Sequence, residues 1–216
     1  MCSSCGHAIG YDAEYARAME RMRALGIELR AASCRDSAAL RDIYAPYVLD
    51  TAVTFEYNVP SAEEFARRIA GTLERFPYIV AERDGEALGY AYASSFHTRA
   101  AYAWAAETSI YLRRDLRRMG LGTALYAELE RALRAQGMLN LNACIACPRC
   151  EDQYLTMDSV RFHGRMGYSM VGKFHSCGYK FGRWYDMVWM EKLLGAHECP
   201  PPPVRTFEQV RMELRL

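Results

Sequence analysis

The fold of this chain is decided by IYLRRDLRRMGLGTALYAELERALRAQG, residues 110–137. A β-like run gives way to arginines, and Gly120-Leu121-Gly122 then opens a long amphipathic segment. Glycine lets the backbone take positive φ and approach a ligand closely, so successive N–H groups can point into one concavity. At a helix N-terminus the free N–H groups and the dipole favour an anion. Arg117 and Arg118 add positive charge beside it. Leu125, Leu129, Ala132 and Leu133 share one stripe of the helix behind, and Gly137 stops it. No Gly-Lys-Ser/Thr follows, so this is not a nucleoside-triphosphate loop. A single Gly-x-Gly without an acidic partner is not a dinucleotide fingerprint either. A bare Gly-x-Gly also fits a plain strand-to-helix turn that uses glycine for close packing. The arginines and the strand–turn–helix setting favour a pyrophosphate seat.

Outward from that turn the pattern is regular. Residues 1–26 read as a separate leader, with a Cys/Ser/Gly start and a helical pattern from Tyr11 to about Leu25 that Gly26 ends. From Ile27 the residues alternate: IELRAASC (27–34) reads as a strand, and Asp36 caps a helix running through Ala39, Leu40, Ile43 and Tyr44. Ser61 with Glu64 three residues on predicts a capping box and a helix to about Phe76. YIVAER (78–83) and EALGYAYASSF (86–96) read as strands joined at Asp84-Gly85, a tight-hairpin pair. AAETSIYLR (105–113) is a further strand, LNLNACIA (139–146) a short buried one, and MDSVRFHGRMG (157–167) a short helix closed by Gly167. Residues 168–194 supply two long final strands. The order β-α-α-β-β-β-α-β-α-β-β predicts an α+β sheet with helices on both faces. Residues 196–216 follow as a proline-rich spacer and tail, since four successive prolines extend neither a strand nor a helix.

Bulk properties narrow the function. A chain of 216 residues suffices for one well-buried domain with appendages. The formal net charge of +1 argues against a general nucleic-acid or anionic-membrane binder, which needs many uncompensated cations. No apolar run approaches the roughly 20 residues of a membrane span. The first residues lack a basic region followed by an apolar core. Eight cysteines without an export signal therefore predict reduced thiols and a cytoplasmic location. Cys2-x-x-Cys5 and Cys147-x-x-Cys150 could together offer four thiolates to zinc, but they lie far apart in the chain, unlike compact zinc ribbons. Free cysteines and no metal are expected.

Arg117-x-x-Gly120-x-Gly122, after a strand ending SIYL, resembles the acetyl-CoA-binding motif of the GNAT superfamily of N-acetyltransferases. The resemblance extends to its phosphinothricin and methionine sulfone/sulfoximine N-acetyltransferase branch. It is carried by TAVTFEYNVPSAEEF (51–65), ERFPYIVAERDGEALGYAYASSFHTRAAYAWAAETSIYL (74–112), MGLGTALY (119–126), SVRFHGRMGY (159–168) and GYKFGRWYDMVWMEK (178–192). It spans about residues 27–194 and implies one acetyltransferase domain over 27–195, with a GNAT-type mixed, mostly antiparallel central sheet. The implied reaction is acetyl transfer from acetyl-CoA to the primary amine of a small amino acid-like acceptor. A homodimer is implied as well.

The resemblance also assigns residues. Glu107, a carboxylate in an otherwise apolar strand, matches the general base, and burial would raise its pKa toward a working range. His163 falls where many members carry a tyrosine facing the sulfur, as an acid or an orienting group. The backbone of Ile110, Tyr111 and Leu112 would bind the pantetheine arm, with Ser159 near it. Arg117, Arg118, Met119, Gly120, Leu121, Gly122 and Thr123 would hold the pyrophosphate. Asp158 stands where relatives often have asparagine, which leaves its contact open. Arg99 and His97 would hold the acceptor carboxylate, arginine because its fork is bidentate to carboxylate. Phe55, Tyr92 and Trp104 would wall the acceptor pocket, or simply belong to the core. Two other readings stay open: a GNAT enzyme for another amine (polyamine, aminoglycoside or protein amine), and a non-catalytic acyl-CoA-binding module.

Overall fold

A computed structural model describes residues 5–116 and 119–216, apart from the side chains of residues 5–12 and 14. Arg117, Arg118 and Cys2, and the side chain of Cys5, lie outside the described residues. The elements run α1 (Cys5–Ala24), β1 (Glu28–Ala31), α2 (Ser37–Asp50), α3 (Ala62–Leu73), β2 (Tyr78–Arg83), β3 (Glu86–Ser95), β4 (Ala105–Leu112), α4 (Leu121–Gln136), β5 (Asn140–Cys147), α5 (Asp158–Arg165), β6 (Ser169–Lys180), β7 (Arg183–Leu193) and α6 (Phe207–Leu214). One sheet of seven strands has the order β1-β2-β3-β4-β5-β7-β6. Its neighbours are antiparallel except β4 and β5. The mixed, mostly antiparallel sheet with helices on both faces is the expected architecture.

Period-two alternation sends the strands' side chains to two different cores. On one face α2 and α3 bring Leu40, Ile43, Tyr44, Phe65 and Ile69 onto Tyr78, Val80 and Tyr90. On the other, Leu125, Leu129 and Leu133 of α4 are essentially fully buried against Ile79, Ala91, Ala93 and Ala106. Burial of each such leucine stabilises by roughly 1.5–3 kcal/mol. The alanines keep the sheet surface low under α4 and let the helix approach. Helix α1 packs across α4: Met22 enters the core, and the Tyr15 hydroxyl donates to the Glu128 carboxylate at 2.7 Å.

Two helix starts differ from the sequence reading. Asp36 does not cap α2 with its side chain. Ser33 instead caps a single 3-10 turn, Cys34–Asp36, and the Asp36 carboxylate reaches back to the Ser33 N–H at 2.7 Å and pairs with Arg30 at 2.7 Å. The guanidinium on β1 draws the carboxylate away from the helix. At α3 the Ser61 hydroxyl accepts from the Glu64 N–H at 3.2 Å, half of the expected box. Glu64 turns its own carboxylate to Arg68 and Arg67, and the helix ends at Leu73 rather than Phe76.

The four prolines do not lead the tail away from the domain. Residues 195–203 run along it, and α6 buries Phe207 and Val210 beside α4.

Candidate active site

Strands β4 and β5 pair only at Ala105–Asn140, Ala106–Leu141 and Glu107–Asn142, whereas β5 stays on β7 through Cys147–Asp186. Past Glu107 the two parallel strands part. The Arg113 N–H donates to the Leu88 carbonyl at 3.0 Å. In an antiparallel ladder, bonded partners alternate, so residues 107, 109 and 111 face β3, while 108, 110 and 112 turn their backbone groups toward the gap. Ile110 therefore offers an N–H and a C=O there and Tyr111 does not; the Leu112 carbonyl accepts from the Tyr47 hydroxyl at 2.6 Å. A slot of about 60 Å³ occupies the gap, lined in part by Thr108, Ile110, Tyr126, Cys144, Ser159 and His163.

The glycine turn stands at one end of this gap. Gly120 caps α4 with φ +78°, a left-handed conformation that disfavours a Cβ. The Ala124 N–H already bonds the Gly120 carbonyl at 3.0 Å. Leu121, Gly122 and Thr123 are the first-turn residues whose N–H groups have no intrahelical acceptor. Gly122 answers to another constraint: a Cβ there would stand 3.2 Å from the Phe162 ring of α5. Met119 precedes the turn, packed against the α4 core. Helix α1 brings a cation, since the Arg21 side chain lies 3.4 Å from where a Gly120 Cβ would be. Nothing in a scan for glycine turns points to residues so far upstream.

His163 is buried, and its Nδ1 lies 2.8 Å from the Ser159 carbonyl. A carbonyl only accepts, so Nδ1 carries the proton and Nε2 accepts from the Tyr126 hydroxyl at 2.8 Å. Burial lowers the imidazole pKa, the Ser159 hydrogen bond opposing it, so the ring is neutral at pH 7. The Thr108 hydroxyl meets that of Tyr168 at 3.0 Å, which completes a hydroxyl–imidazole cluster at the floor of the slot. Asp158 is exposed and faces Arg161 at 3.4 Å.

Glu107 is half-buried, and its carboxylate makes no hydrogen bond or ion pair among the described residues. Burial raises its pKa above the usual 4.5. It lines neither of two nearby spaces itself, but its neighbours line both. Thr108, next in sequence, lines the slot, and Asn142, its register partner, lines a larger cavity of about 930 Å³. His97 and Trp104 line that cavity as well. Arg99 is exposed at the start of the 3-10 turn Ala100–Tyr102, whose Tyr102 lines the cavity, and its guanidinium has no partner among the described residues. The other two expected pocket residues lie elsewhere. Tyr92 stacks on Tyr78 at 4.9 Å, and the Phe55 ring lies over Gly178, where a Cβ would come within 2.3 Å. No cluster of three or more His, Cys, Asp or Glu able to hold a metal exists among the described residues. The Cys147 thiol faces Met157 at 3.6 Å.

Residues 29–189 match the family model described as "Acetyltransferase (GNAT) domain". Over 184 residues the chain is 33% identical to phosphinothricin N-acetyltransferase of Streptomyces viridochromogenes, covering 85% of this chain and 96% of that protein. It is 30% identical over 173 residues to L-methionine sulfoximine/L-methionine sulfone acetyltransferase of Salmonella typhimurium, covering 80% and 97%. Among solved structures, a phosphinothricin acetyltransferase from Sinorhizobium meliloti in complex with acetyl-CoA superposes with a TM-score of 0.73 at 33% identity, covering 83% of this chain and 94% of that one. A slot between parting strands that opens at a glycine-capped helix matches that relationship, and the chain belongs to the GNAT family of acetyl-CoA-dependent N-acetyltransferases.

Proposed function

We propose that the chain acetylates the primary amine of a small amino acid-like acceptor of the methionine sulfone, methionine sulfoximine or phosphinothricin type, in the cytoplasm and as a homodimer. The observation that carries this is Glu107: a half-buried, unpartnered carboxylate of raised pKa, between Thr108 of the slot and its register partner Asn142 of the cavity. Acetyl-CoA would supply an activated thioester: as the amine nitrogen bonds to the acyl carbon the C–S bond breaks, and coenzyme A leaves as a thiolate that takes a proton from solvent. Glu107 takes the proton that the amine nitrogen releases on forming its new bond, directly or through one water. The N–H groups of Leu121, Gly122 and Thr123, with Met119 and Gly120 shaping the turn, hold the pyrophosphate, and Arg117 and Arg118, which directly precede Met119 in the sequence, add positive charge. Ile110 and Leu112 face the arm with their backbone, and Ser159 borders it. His163 orients the Tyr126 hydroxyl at the slot, since both ring nitrogens are engaged. Arg99 takes the acceptor carboxylate, with His97 beside it.

The dimer reading rests on the edge strand β6 and its neighbour β7, which leave Met170, Tyr179 and Trp184 exposed outside the cavity. The catalytic domain then spans 27–195, with the N-terminal leader and the C-terminal tail as additions to it.

Thiol release from acetyl-CoA, with mass detection of the acetylated product, tests the reading against methionine sulfone, methionine sulfoximine, phosphinothricin, spermidine and kanamycin. Turnover with the amino acid-like group is expected. Turnover confined to spermidine or kanamycin would overturn the acceptor and keep the cosubstrate.

A further inference from the structure

The large cavity has a wall that the family domain does not supply. Residues 29–189 match the family, yet His197, Glu198 and Pro201 line the cavity. The segment carrying them is fastened along its length. The His197 Nε2 meets the Asn140 Oδ1 at 2.7 Å, and the Trp104 indole N–H donates to the Pro202 carbonyl at 2.6 Å. The Pro203 carbonyl presses on Gly137, where a Cβ would stand 2.9 Å from it, and the Arg205 N–H donates to the Gln136 carbonyl at 2.8 Å. Beyond it the buried Phe207 anchors α6. The wall is therefore held in place rather than draped over the opening.

The lining defines a ligand chemistry. Phe96, Tyr102, Trp104, Phe174 and Trp189 give it an aromatic interior. Its charged members are Glu191 and Glu198, and neither lysine nor arginine is among the described lining residues. A volume of about 930 Å³ is far larger than a short aliphatic side chain needs. Aromatic walls favour a flat apolar group, and two carboxylates without a cation disfavour an anionic one.

We infer that the C-terminal segment completes the acceptor site and selects amino acid-like amines with a large uncharged aromatic side chain over those with an anionic side chain. This rests on the acetyltransferase reading above and revises its acceptor, from a small sulfone- or phosphinate-bearing side chain to a large aromatic one. The α-carboxylate goes to Arg99, the amine to Glu107, and the side group into the cavity, with Glu198 rejecting a phosphinate or carboxylate.

The test pairs binding with turnover on the full chain. Calorimetric titration compares L-tryptophan with L-phosphinothricin, and kcat/KM is measured for both at saturating acetyl-CoA. Tryptophan should bind at least tenfold more tightly and carry the higher kcat/KM. Glu198→Lys should narrow that ratio at least fivefold by improving phosphinothricin, with the KM for acetyl-CoA unchanged, a split that mere loss of folding does not produce. Phosphinothricin binding as tightly as tryptophan, binding of neither, or an unaltered ratio in Glu198→Lys would each overturn the inference. Tighter tryptophan binding without turnover of any acceptor would leave the cavity's selectivity standing and remove the acetyltransferase reading instead.

Discussion

At the scale of single residues, the decisive feature is how each polar group in the slot is partnered. The two nitrogens of His163 are assigned by simple valence: one faces a carbonyl and the other a hydroxyl. Removing that hydroxyl in Tyr126→Phe leaves a buried acceptor unsatisfied and should cost about 1–3 kcal/mol in chemical denaturation. The lowered pKa sets the sign of a pH effect. The unfolded chain takes the proton first, so this contribution is present at neutral pH and fades as pH falls below about 6.5. Nitrogen-detected NMR of the imidazole should find the Nδ1-protonated tautomer and no titration above that pH. His163 and Glu107 both stand out in the sequence through a motif, whereas Tyr126 enters only as the last residue of MGLGTALY. Its partnership spans 37 positions in the chain, which no local pattern encodes.

At the scale of elements, the glycine turn shows one motif meeting two constraints. Gly120 needs its left-handed φ, so Gly120→Ala should cost about 1–2 kcal/mol of backbone strain and raise the KM for acetyl-CoA. Gly122 sits inside α4 with ordinary φ, where alanine is intrinsically better by about 1 kcal/mol. Its added methyl would instead crowd Phe162 and displace α5, which carries Ser159 and His163. Gly122→Ala should therefore lower kcat with a smaller effect on melting temperature, and steady-state kinetics beside calorimetry separate the two. The plain packing reading of Gly-x-Gly holds for the second glycine and fails for the first. Sequence spacing displayed the turn, while the reason for Gly122 lies on a helix some forty residues away. The element order was readable from Ile27 to Leu194 because alternation and helical periodicity are strong there. Asp36 misled because Arg30, on a neighbouring element, competes for its carboxylate.

At the scale of the whole molecule, both ends of the chain return to the same helix. Helix α1 meets α4 through Tyr15 and Met22, and α6 meets it through Phe207 and Val210. The tail was readable after the prolines, but its docking was not. It depends on the Arg75 and Gln136 carbonyls, far apart in sequence. Phe207→Ala should cost about 3–5 kcal/mol, read as a fall in melting temperature, because a buried ring leaves a cavity. These additions brace a domain in which Glu107 stands between a slot-lining and a cavity-lining residue, and that carboxylate is its central feature. The most direct measurement is the pH dependence of kcat/KM for the intact protein and for Glu107→Gln with the same acceptor. The rate should rise with pH through the raised carboxylate pKa, since only the ionised form accepts a proton, beneath any limb set by the amine itself. Glu107→Gln should lose that limb and about 10²–10⁴ of the rate. A variant turning over within threefold of the intact protein, with the same acid limb, would contradict the assignment of Glu107 as the base.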